Sequence, residues 1–193
     1  MLKAALLLLS MCIVSSASAS STSQLRSVHS EIVSDILGRG KNSDFSALIR
    51  KWEKTYGSAA APDLFKIAAD KKFRDTDRFI AFMGASKLGA EADTKTLLPF
   101  LSDPSWMLRS AALRTLGGFH QKDAGLAVLK LLRDPAQVVQ SEAIDTVLKL
   151  KPAGAENALV QMSSRSCTTD TPDWICKKSL DALVVLRTQN PES

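Results

Sequence analysis

The stretch LSDPSWMLRSAALRTLGG (Leu101–Gly118) is answered 31 residues later by LRDPAQVVQSEAIDTVLKL (132–150). Each copy sets Asp-Pro ahead of a run with small and apolar residues at matching offsets. Leu108, Ala112, Leu113 and Leu116 answer to Val139, Ala143, Ile144 and Val147. Spacings of three and four residues are those of one helix face, so the runs 105–117 and 136–148 read as helices. Moving back 28 residues, Asp75 replaces Asp103, and Ile80, Gly84, Ala85, Leu88 and Gly89 fall into register; moving forward, Ile175, Ser179, Leu180 and Leu183 fit it again. A shorter amphipathic run precedes each: Pro62–Lys71, Asp93–Leu101, Asp123–Leu132 and Ala153–Met162.

The repeating unit is therefore helix, tight turn, helix. Asp103 and Asp134 can accept hydrogen bonds from amides opening the next helix, and Pro104 and Pro135 suit its first turn. Gly89 and Gly117-Gly118 fall where helices are expected to stop. Helix pairs of this size cannot bury their apolar stripes alone and stack into a superhelix, so the expected fold is an all-α solenoid of antiparallel helix pairs. Gln24–Leu37 with Phe45–Tyr56 reads as a divergent pair ahead of four legible copies. The expected division is a leader at 1–19, a helical cap at 20–61 and repeats at 62–193.

The run at 101–118 resembles the HEAT-like repeat of the bilin-lyase type, on Asp103, Pro104, Leu108, Arg109, Ala112, Leu116 and Gly117. The copy at 132–150 keeps Asp134, Pro135, Val139 and Ala143 but carries Gln140 in place of the arginine. The resemblance covers about 60–185 and implies a protein-binding scaffold, since most relatives are scaffolds and a few are lyases. In that family the arginine position often builds a helix-to-helix hydrogen-bond ladder. With Ala81 and Gln140 at the aligned positions, no continuous ladder is expected, and Arg109 is expected to pair locally with Asp103 or Asp134.

Residues 1–19, MLKAALLLLSMCIVSSASA, have one early cation, a short apolar run and small residues ending at Ala19. That is the layout of a secretory signal, which predicts a periplasmic or secreted product that does not span the membrane. Met11 ahead of Cys12 argues against lipoprotein processing. The chain carries 25 basic and 20 acidic side chains for a net charge of +5, which falls by one without Lys3. So small an excess, with acidic residues interspersed, does not call for nucleic acid.

Cys167 and Cys176, spaced Cys-x8-Cys, remain after the leader. An even pair in an oxidising compartment reads as a disulfide, here closing the turn of the last repeat. A redox dithiol is usually spaced more closely, and no nearby His or Cys completes a zinc set. His29 and His120 stand apart from any nucleophile, and Asp170 and Asp173 lack the acidic comb of a cation loop. No catalytic residues, metal or cofactor are assigned, and the chain is expected not to be an enzyme.

Setting Ile80, Leu108, Val139 and Ile175 to face the core turns the preceding positions Phe79, Met107, Val138 and Trp174 away from it. Trp106 lies two positions before its anchor. Phe82, Ser110, Ser141 and Lys177 lie two after theirs, with Arg114 and Asp145 a further turn along. In a solenoid the second helices commonly line the concave side, so these residues are expected to form an apolar ridge edged by polar groups. Trp106 and Phe82 are expected to be exposed. Met107 and Val138 fit either that ridge or packing between repeats, and Trp174 fits either the ridge or a cover over the disulfide. Aromatic, Met and Arg side chains on an open groove suit a protein interface. The expected function is a monomeric, non-catalytic scaffold gripping a protein of the cell envelope. An inhibitor or immunity partner of an exported enzyme, or an envelope adaptor, would each fit. The alternatives are a glycan- or peptidoglycan-binding module, with Trp106 and Phe82 stacking on sugars, and a lyase-type enzyme.

Overall fold

The structure is a computed structural model that describes residues 28–40, 44–89, 93–167 and 173–189. The leader at 1–19 lies outside the described residues. Those described are all-helical, arranged as an α-solenoid of antiparallel helix pairs. Two N-terminal helices come first, α1 (28–38) and α2 (Phe45–Tyr56). Four pairs follow: α3 (Ala61–Ala69) with α4 (Asp75–Leu88), α5 (Thr94–Leu97) with α6 (Trp106–Gly118), α7 (Gly125–Lys130) with α8 (Gln137–Leu150), and α9 (Ala155–Ser166) with α10 (Asp173–Gln189).

The second helices form a continuous layer in which α4 meets α6, α6 meets α8 and α8 meets α10. The first helices are less regular. Pro99 has no amide to continue the α pattern, so α5 tightens after one turn into a 3-10 helix over Leu98–Ser102. A second 3-10 segment, Leu131–Arg133, ends α7.

The Asp-Pro turns work one step earlier than the sequence suggests. Asp103 Oδ1 accepts from Ser105 N at 2.9 Å, and Asp134 Oδ1 from Ala136 N at 2.8 Å, while Ser105 and Ala136 are the N-caps of α6 and α8. Pro104 and Pro135 thus sit between the aspartate and the cap, outside the helix, where their fixed φ holds the turn. α6 closes at Gly117-Gly118 as expected, but neither glycine takes the left-handed position. His120 takes the left-handed position at φ 51°, with Gln121 N donating to Leu116 O and His120 N to Gly117 O. These are the paired bonds of a Schellman motif.

A ladder of ion pairs ties the units together. Arg109 donates from Nε and Nη2 to both carboxylate oxygens of Asp134, at 2.7 and 2.8 Å, and from Nη1 to Asp103 O and Pro104 O. Its expected local pairing is what forms. One unit earlier, Arg78 grips both oxygens of Asp103 and donates to Ala68 O at 2.8 Å. At the N-terminal side, Asp77 is held by Arg39 and Arg74. The expected break in a continuous ladder is found at Gln140 but is corrected at α4. Arg78, not Ala81, is the counterpart of Arg109, because α4 enters its repeat about one helical turn differently while keeping the same face. Gln140 retains the turn contact, donating to Asp134 O at 2.6 Å, and as a neutral side chain it ends the charged series.

Burial raises the Asp77 pKa, but hydrogen bonds and charge from Arg74 and Arg39 overcome this and hold it below its ordinary value of 3.8. A carboxylate with a depressed folded-state pKa stabilises the fold above its unfolded value, and that contribution is lost as pH falls through the folded value. Asp77→Asn should therefore flatten the acid limb, with a melting temperature falling less between pH 5 and 3 than in the parent.

The N-terminal helices pack onto the repeats through Trp52, which is fully buried and donates from Nε1 to Asp35 Oδ2 at 3.0 Å. Gly84 on α4 makes room for it, since a Cβ there would lie 2.9 Å from the indole ring. At the other end, Cys167 and Cys176 form a disulfide between the end of α9 and the start of α10. Closing a loop this short stabilises by roughly 2.5 kcal/mol. Cys167→Ser with Cys176→Ser should lower the stability by about that amount in urea unfolding.

Candidate functional site

Three second helices contribute to one groove. Phe79 and Met83 on α4, Trp106, Met107, Ser110, Ala111 and Arg114 on α6, and Val138 on α8 enclose a cavity of about 250 Å³. The groove forms because each of these helices buries one long arc and leaves a narrower one free. On α4 the buried set is Ile80, Ala81, Phe82, Gly84, Ala85 and Leu88, with Asp77 and Arg78. The centre of that arc lies near Ala81 and Leu88, about a quarter turn from Ile80.

That rotation accounts for one correction. Phe82 is fully buried, not exposed, with its ring 4.8 Å from Phe100 and 5.6 Å from Phe65 in edge-to-face contacts. It belongs to the core between α3, α4 and the 3-10 segment after α5, and cannot touch a partner. Met83 takes the groove-facing place instead. With Ile80 as the sole anchor of the helix direction, Phe82 falls on the outward side; the wider buried arc turns it inward.

The remaining candidates divide into two sets. Phe79, Trp106, Met107, Ser110, Arg114 and Val138 line the groove together. Of the apolar liners Trp106 and Val138 stand most open, at 48% and 51% exposure, whereas Ser110 is buried in the floor. Arg114 Nη2 donates to Glu142 Oε2 at 2.8 Å across α6 and α8, and this bond and charge raise the guanidinium pKa above its ordinary value. The groove therefore has a mostly apolar floor, with Ser110 its polar member, and one charged edge at Arg114.

Ser141 and Asp145 lie further along α8, outside the groove lining. Both are engaged by Lys178 Nζ, at 2.7 and 2.6 Å, which links α8 to α10. Lys177 is exposed, but it and the half-exposed Trp174 both lie outside the groove lining. The core register of α10 is the expected one, with Ile175, Ser179 and Leu183 buried, and of the aligned positions Leu180 is the one that is exposed.

A larger cleft of about 740 Å³ lies across the first-helix layer, between α3 and α5. Its walls include Pro62, Phe65, Pro99 and Phe100, with Lys66 and Lys71 among the lining residues. The sequence reading did not find it. The signal was Pro99, which shortens α5 and leaves α3 without a full-length neighbour.

Nothing in the groove forms a nucleophile–base pair. His29 Nδ1 lies 3.7 Å from Asp63 Oδ1, far from the groove in sequence, and His120 holds a turn. Among the described residues, no group of three or more His, Cys, Asp or Glu is placed to hold a metal ion. No described helix is long and apolar enough to cross a membrane.

Residues 94–183 match the family model of HEAT repeats. The match covers α5 to most of α10, and over that segment the chain is similar to HEAT repeats. None of the curated proteins matches the chain.

Proposed function

Starting from a HEAT-like repeat framework, which suits protein interaction, we propose that the chain is an exported, non-catalytic scaffold that docks a protein in the groove crossing α4, α6 and α8. The single observation that carries this reading is the groove itself. Its two open apolar side chains, Trp106 and Val138, come from adjacent repeats and flank a floor of Phe79, Met83 and Met107. Large aromatic and Met side chains in a depression with a polar rim are the anchors that protein interfaces use. Export is supported by the leader-like composition of residues 1–19 and by the paired cysteines, a combination that fits an oxidising compartment. A protein of the cell envelope is then the partner class, and an exported enzyme held in check by the scaffold fits that class.

Photo-crosslinking tests the reading. A benzophenone amino acid at Val138 should label a discrete polypeptide in intact cells. The same group at Leu126, which is 72% exposed on α7 in the other layer, should not. Equal labelling from both positions contradicts the groove reading. Capture of a saccharide in place of a polypeptide makes the groove a glycan site.

A further inference from the structure

The last described helix leaves an apolar face open beside its buried one. On α10 the arc of Ile175, Ser179, Ala182, Leu183 and Leu186 is buried where the helix meets α8 and α9. The opposite arc carries Leu180 and Val184, at 46% and 61% exposure, beside the exposed Lys177 and Asp181. Among the described residues, neither Lys177 nor Asp181 has an ion-pair partner.

The exposed arc has an internal symmetry. Counted from Ser179, which faces the core, Lys177 and Asp181 stand two residues to either side. Trp174 and Val184 stand five to either side, and Leu180 adjoins the midpoint. Reversing the helix direction about that midpoint therefore exchanges apolar for apolar and cation for anion. A parallel pairing would instead set Lys177 against Lys177 and Asp181 against Asp181.

We propose that this face joins two copies of the chain, with α10 antiparallel to its counterpart about a two-fold axis opposite Ser179. Such an interface is isologous, so every contact is made twice. Lys177 of each copy meets Asp181 of the other, the two Leu180 side chains touch at the axis, and Trp174 covers Val184 across it. Charge complementarity under the two-fold selects a second copy of the chain as the occupant. One helix face per copy makes a small interface, so the dimer is weak and depends on concentration. The inference does not rest on the groove reading, because none of these residues lines the groove. It stands as an alternative to the monomer expected from sequence.

Sedimentation velocity of the purified protein over a concentration series tests it, with helical circular dichroism confirming that each variant is folded. The parent should move from monomer towards dimer as concentration rises. Lys177→Glu should weaken association by about tenfold, because two attractive exposed pairs become repulsive at once, and Asp181→Lys should do the same. Combining the two reversals should restore the parental dissociation constant, and Leu180→Asp should leave only monomer. A parent that stays monomeric at its highest soluble concentration overturns the proposal. So does a dimer indifferent to both single reversals, or a double reversal that fails to restore association.

Discussion

Replacing Arg78 by Ala should lower the stability by about 3–5 kcal/mol, the cost of leaving one partner of a buried ion pair alone. Arg78 and Asp103 are both almost fully buried, and the guanidinium also satisfies Ala68 O. Removing it strands a carboxylate and a carbonyl together at the junction of two repeats. For a chain of this size the melting temperature should fall by roughly 6–20 °C. Arg78→Lys should recover little, because an ammonium cannot reproduce the two-pronged contact with Asp103. Removing both partners should cost less than the sum of the single losses, since no charge is then left unpaired. Thermal unfolding of the two single variants and the double variant measures that coupling. Losses that simply add would mean that the pair does not bind the repeats together.

Phe82→Ala should have an effect of similar size, about 3–5 kcal/mol, for a different reason. The ring fills the space between Phe65 and Phe100, so truncation leaves a cavity as well as removing apolar area. Phe82→Leu, which keeps most of the volume, should lose much less. Trp106→Ala on the open groove should change stability by about 0.5 kcal/mol or less. Urea unfolding of these three variants separates core from surface. A mild loss at Phe82 together with a large one at Trp106 would reverse the assignment of the two faces of the second-helix layer.

The solenoid was legible because its signals are local and repeated. Asp103-Pro104 and Asp134-Pro135 mark equivalent turns, and the apolar residues after them keep helical spacing. The Arg109 contacts followed from the same register, as did the disulfide from two cysteines left in one turn. What escaped depends on facts that no single helix contains. The direction in which α4 faces the core is set by three neighbours, Trp52, Phe65 and Phe100 among their residues, so one anchor residue misplaced Phe82. The role of Arg78 was hidden because the 28-residue offset that aligns the apolar positions differs by one helical turn from the 31-residue offset that aligns the arginines. The contact of Lys178 with Asp145 escaped because it joins residues 33 apart on two helices and no repeated position marks it.

The groove reaches beyond description only if a partner uses it, and the affinity of the crosslinked polypeptide for groove variants measures that directly. Trp106→Ala should weaken binding about 30-fold, the loss of roughly 2 kcal/mol that truncating an aromatic anchor brings, while Leu126→Ala on the other layer should leave it unchanged. Full affinity retained by Trp106→Ala, or an equal loss in Leu126→Ala, would contradict docking at this site.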